Sequence, residues 1–74
     1  MATEELTPYL AVGRCEGFEP ATPQQELEAW AYLVKTGQCW TLQGWFGRNA
    51  HALIGAKIIS EDGELLKSAE ELEL

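Results

Sequence analysis

Thr22-Pro23-Gln24-Gln25-Glu26-Leu27-Glu28-Ala29-Trp30-Ala31-Tyr32-Leu33-Val34-Lys35-Thr36-Gly37 is the stretch that decides the fold class. Thr22 is a good N-cap, Pro23 suits the first helical position, and Gln25 completes a T-x-x-Q capping box. Glu26 and Glu28 lie early, where the helix dipole favours anions. Leu27, Trp30, Ala31 and Val34 recur at spacings of three and four, and Leu33 widens that stripe. Lys35 sits in the last turn and Gly37 ends the helix.

Downstream, Trp40 to Ile54 reads as a second helix and as the centre of the domain. At 100° per residue Leu42, Phe46, Ala50, Leu53 and Ile54 gather on one side, which is expected to face the core. Gly44, Arg48 and His51 gather on the other, flanked by Trp40 and Trp45. Gly44 and Gly47 each weaken a helix by about 1 kcal/mol relative to alanine, so a kink or break is expected near them. Gly55 is the candidate C-cap. The link between the two helices is short, which predicts an antiparallel pair at about 23–36 and 40–54 with facing apolar stripes.

The ends are less regular. Pro8, Gly13, Gly17 and Pro20 argue against a helix in residues 1–20, which read as an extended arm held to the body by Phe18. At the other end, Lys57-Ile58-Ile59-Ser60 and Glu64-Leu65-Leu66-Lys67 flank Glu61-Asp62-Gly63, the pattern of a hairpin turn. Ser68 and Glu71 resemble a capping box for a last short helix, and one helix over 60–73 is the competing reading. The expectation is a mainly α domain, small α or α+β. It is one domain over 1–74: an arm at 1–20, a helical core at 21–56 and an acidic tail at 57–74.

Composition narrows the function classes. At 74 residues the chain is one domain whose core must be dense or shared with a second copy. Three tryptophans, two phenylalanines and two tyrosines supply large apolar area and argue against disorder. The net charge of −7 repels phosphates, so direct nucleic-acid binding is not expected. No segment has the length of a membrane-spanning helix. Met1-Ala2-Thr3-Glu4-Glu5 lacks the basic and apolar regions of a signal peptide, which points to the cytosol. There Cys15 and Cys39 are expected as buried free thiols. The charge is also uneven. From Thr36 to Ala56 there is no acid, and Arg48 is the one formal charge.

No residue set invites catalysis. His51 is the sole histidine, and nothing in the spacing puts Cys15 or Cys39 beside it with an orienting group. Cys15, Cys39 and His51 have no metal-ligand spacing, so no metal or cofactor is expected. Gly44 and Gly47 make G-x-x-G without the following G-K-S/T of a phosphate loop. A helix-turn-helix role fails because Arg48 has no basic neighbours. Aromatics with an arginine, in a region depleted of other charge, match the centre of a protein interface. Trp40, Gly44, Trp45, Arg48 and His51 are therefore the candidate partner-binding residues, contacting either the N-terminal arm or a protein partner.

Ala29-Trp30-Ala31-Tyr32-Leu33, Thr36-Gly37 and Trp40-Thr41-Leu42-Gln43-Gly44-Trp45-Phe46-Gly47-Arg48 carry a resemblance. The chain looks like a family of small tailed-phage and prophage proteins that share a W-x-L-Q-G-W-F-G-R-x-A-x-x-L-I stretch. Val12-Gly13-Arg14-Cys15-Glu16-Gly17-Phe18 also fits, so the likeness spans about residues 8–54. Residues 56–74 depart from that pattern as an acidic extension. The resemblance implies a phage source and expression in the host bacterial cytoplasm, and it carries no activity.

Three functions follow as expectations. The first is a non-enzymatic phage accessory protein that binds a host or phage protein and modulates it. The second is an acidic nucleic-acid mimic, with Glu26, Glu28, Glu61, Asp62, Glu64, Glu70 and Glu71 as phosphate surrogates. The third is a small structural protein whose apolar stripe closes a homodimer.

Overall fold

A computed structural model describes residues 6–42 and 44–73. Its elements are α1 (Pro8–Glu16), α2 (Pro23–Thr36), a 3-10 turn (Gln38–Trp40) and α3 (Gly44–Gly55). The class is mainly α, as expected, with no strand among the described residues.

The centre of the domain is α2 rather than the Trp40–Ile54 stretch. Its start forms as the capping box predicts. Thr22 Oγ1 accepts from the Gln25 N–H at 3.1 Å, and Gln25 Oε1 accepts from the Thr22 N–H at 2.9 Å. Gly37 ends it in the left-handed region, φ 79°. Leu27, Ala29, Trp30, Ala31, Leu33 and Val34 are all buried. That is a broader face than one partner helix needs, because three neighbours cover α2: α1, the start of α3, and the C-terminal segment.

The first neighbour corrects the reading of residues 1–20 as an extended arm. Pro8 to Glu16 is a helix, and two of the four expected breakers, Pro8 and Gly17, build its ends. Thr7 Oγ1 accepts from the Leu10 N–H at 3.2 Å, and Pro8 follows at the first helical position, where its missing N–H is not needed. Gly17, at φ 86°, closes the helix by turning left-handed. Only Gly13 is interior, a cost of about 1 kcal/mol that burial of Ala11 and half-burial of Val12 and Cys15 offset. This helix, not α3, lies closest along α2. Phe18, expected to plug the arm onto the body, is exposed. Residues 1–5 lie outside the described residues.

The second neighbour changes the expected antiparallel pair. The α2 and α3 backbones do not run close alongside one another. They join through rings: Trp30 meets Trp45 edge-on at 5.9 Å between centroids and Phe46 at 5.7 Å. The expected helix over 40–54 is broken before Gly44. Gln38–Trp40 winds as a 3-10 turn, and α3 starts at Gly44 and continues through Gly47. Phe46 and Ala50 are buried, and Leu42, Leu53 and Ile54 pack half-buried against the same core.

Gly55 is not the cap of α3. The reversal comes two residues later at Lys57, whose φ is 61°. The Lys57 N–H donates to the Ile54 carbonyl at 3.0 Å and the Ile58 N–H to Leu53 at 3.0 Å. This paired pattern is the Schellman closure, with lysine at the position glycine usually holds.

The third neighbour is the C-terminal segment. The expected turn at Glu61-Asp62-Gly63 forms, with the Gly63 N–H on the Ser60 carbonyl at 3.0 Å and the Ser60 N–H on Glu64 at 2.8 Å. Its flanks pair only at a single antiparallel bridge, Ile59 with Leu65, so neither becomes a strand. Ile59 is completely buried. The Ser68–Glu71 capping box closes in both directions, at 3.2 and 3.1 Å, but only one turn follows it. A single helix over 60–73 is thereby ruled out.

Two contacts fix the path of this segment. A Cβ on Gly63 would overlap the backbone of Lys35, and the Ala69 N–H donates to Gln24 Oε1 at 2.7 Å. Lys35 and Gln24 sit on one side of α2, about 16 Å apart along its axis. An extended run from 63 to 69 covers about 20 Å. The segment therefore runs back along α2 from its end to its start.

Candidate functional site

The face opposite the buried side of α3 is formed by Gly44, Arg48 and His51, which fall within one sector of about 60° of the helix, with half-buried Gly47 at its edge. Trp40 is delivered to it from outside α3 by the 3-10 turn. There the Thr41 N–H and Oγ1 both donate to the Gln38 carbonyl at 3.0 Å. The Trp40 ring meets His51 edge-on, with centroids 5.5 Å apart and planes at 65°. It also lies over Gly47, where a Cβ would come within 3.7 Å of Trp40 Cε3. With 47% of its surface exposed, Trp40 is held in place on one side and open on the other.

Arg48 is exposed and folds back over the first turn of α3. A Cβ on Gly44 would sit 3.3 Å from Arg48 Nη1. No carboxylate pairs with Arg48 among the described residues. His51 is exposed one turn further on. Four of the five candidate residues, Trp40, Gly44, Arg48 and His51, thus share one surface. Trp45 does not join them. It turns toward Trp30 and Phe46, 4.1 Å from the latter between centroids, and packs against the core. The N-terminal stretch, one of the two contacts expected for this face, packs on α2 instead.

The two cysteines are free thiols, Cys39 buried and Cys15 half-buried. Burial, reinforced by Glu26, Glu16 and Cys39, pushes the Cys15 thiol up to about 12. Burial also raises Cys39. Both therefore hold their protons near neutral pH, the opposite of an activated nucleophile. Among the described residues no group of three His, Cys, Asp or Glu side chains is placed to hold a metal ion. None of the described helices is long and apolar enough to cross a membrane.

Sequence reasoning missed two features. Arg14, in the stretch expected as an extended arm, is buried on α1. Tyr9 and Phe18 stand exposed beside a groove on the outer side of α1. The repeat of Thr-Pro at Thr7-Pro8 and Thr22-Pro23 was the available signal, since both pairs cap helices in the same way.

Comparison with curated proteins and with solved structures gave no match. A family model described as a domain of unknown function, DUF7417, matches residues 20–73. The matched stretch holds α2, α3, the segment that returns along α2, and the whole Trp40–His51 face. On that match the chain belongs to the DUF7417 family, a domain of unknown function.

Proposed function

We propose that the protein is a phage-encoded accessory module that works in the host bacterial cytoplasm. It binds a protein of the host or phage through the Trp40, Gly44, Arg48 and His51 face and alters that protein's activity. The observation that carries this reading is Trp40. A large ring is braced by His51 and Gly47 yet left 47% exposed, beside a cation with no carboxylate partner among the described residues. Tryptophan and arginine at the centre of a surface poor in other charge are the residues that dominate protein interfaces. The phage source rests on the resemblance around Leu42 to Arg48.

Affinity capture from infected cells tests the reading. A partner retained by the wild type and lost by both Trp40→Ala and Arg48→Ala is expected. Equal recovery by all three proteins would refute the assignment of this face.

One observation favours the nucleic-acid-mimic alternative. Glu26, Glu28, Glu61, Asp62, Glu64, Glu70 and Glu71 are all exposed. A mimic's partner would dissociate steeply as salt rises, whereas binding centred on Trp40 would change little. The α3 apolar stripe packs against the chain's own core, with Leu42, Leu53 and Ile54 half-buried, which supports the Trp40 face over that stripe as the contact surface.

A further inference from the structure

Tyr9 and Phe18 are 82% and 79% exposed, although each carries a large apolar ring. They line one concavity of about 370 Å³ together with Pro8, Val12, Glu16 and Glu19. This groove is separate from the Trp40 face and is built entirely from residues that precede the matched stretch at 20–73.

The exposure of Phe18 has a local cause. After a left-handed helix end, the second residue out commonly packs on the residue five positions back. The Phe18 N–H does donate to the Gly13 carbonyl, at 2.9 Å, but Gly13 has no side chain to receive the ring. The space a Gly13 side chain would take is filled by Glu19, whose Cγ lies 2.7 Å from the Cβ position and whose Cδ lies 3.9 Å from it. Glu19 thus lies over Gly13 on α1 and lines the same hollow as the two aromatic rings. Glu16 is the other charged lining residue, and no base lines the groove among the described residues.

Aromatic faces and carboxylates around a small apolar hollow attract the same ligand group, a cation on an apolar stem. We propose that the groove docks a basic peptide segment. One lysine or arginine meets Glu16 and Glu19 across the rings of Tyr9 and Phe18, and an adjoining apolar residue covers Pro8 and Val12. Charge complementarity selects this occupant. A second copy of the chain, itself at −7, would bring like charge to an acidic groove. The hollow is large enough for one or two side chains. This site does not depend on the Trp40 reading and would hold if that reading failed.

The test is a titration of the 15N-labelled full chain with capped tripeptides that place lysine, arginine or glutamate between two leucines. The lysine and arginine peptides are expected to shift the amides of residues 8–19, and the glutamate peptide is not. Glu16→Gln with Glu19→Gln should weaken binding about 5-fold. Gly13→Ala should also weaken it by displacing Glu19, while helix α1 becomes no less stable, which separates loss of the site from loss of the fold. Equal shifts from the glutamate peptide would overturn the proposal. So would shifts confined to Trp40–His51, or no shift at millimolar peptide.

Discussion

Gly63 rests directly on the backbone of Lys35, so closely that a single added carbon would overlap the helix. Its φ of +90° independently disfavours any side chain. The contact pins the returning C-terminal segment to the end of α2, and the Gln24–Ala69 hydrogen bond pins it to the start. Gly63→Ala combines a left-handed backbone penalty with overpacking against an immovable helix. A loss of about 2–4 kcal/mol is expected in urea unfolding. A loss below about 1 kcal/mol would mean that the segment does not lie on α2 in this way.

The end of α3 gives a paired prediction. Lys57 holds the left-handed position and Gly55 lies inside the helix with open space around it. Lys57→Gly should raise stability by about 0.5–1 kcal/mol, as should Gly55→Ala. If Gly55 were the cap, Gly55→Ala would destabilise instead, and thermal unfolding of the two variants distinguishes the cases.

Cys15 gives a pH dependence. Its folded thiol is raised to about 12 from 9.0, first by burial and then by Glu26, Glu16 and Cys39. The unfolded thiol loses its proton near about 8.5. Above that pH the folded state binds more protons than the unfolded state, so stability falls as pH rises toward about 12. The contribution is complete below about 8.5. Denaturant melts between about pH 7 and pH 10 should show a steeper decline for wild type than for Cys15→Ala. Parallel declines would contradict the burial of this thiol.

The tryptophans should separate by role. Trp30 is buried against Trp45 and Phe46, so Trp30→Ala should cost about 3–5 kcal/mol. Trp40 is half-exposed, and Trp40→Ala should cost about 1 kcal/mol or less while abolishing partner capture. Comparable losses of stability in the two variants would make Trp40 a core residue.

What could be read in the sequence was local. The α2 capping box, the Ser60–Gly63 turn and the core side of α3 depend on spacing within a few residues, and each appears where spacing put it. The grouping of Gly44, Arg48 and His51 came from helical periodicity in the same way. Features that depend on distant partners were not legible. Pro8, Gly13 and Gly17 read as breakers although Thr7-Pro8 repeats the Thr22-Pro23 cap, and only the burial of Ala11, which depends on α2, decides for a helix. Trp45 reads as a flank of the polar face because its position on the helix is lateral, and its contact with the distant Trp30 turns it inward. Gly63 looked like turn chemistry alone, and its second role needs Lys35, which is 28 positions earlier in the chain.

The central claim is that the Trp40–His51 face meets a protein, and a photo-crosslinking residue placed at exposed Ala52, one turn beyond Arg48 and outside the proposed contacts, tests it most directly. In infected cells it should join the chain to one defined protein, with the product lost on adding Arg48→Ala. A probe at exposed Glu70 should not yield that product. The same product from both positions, or none from position 52 while position 70 gives one, would contradict the claim.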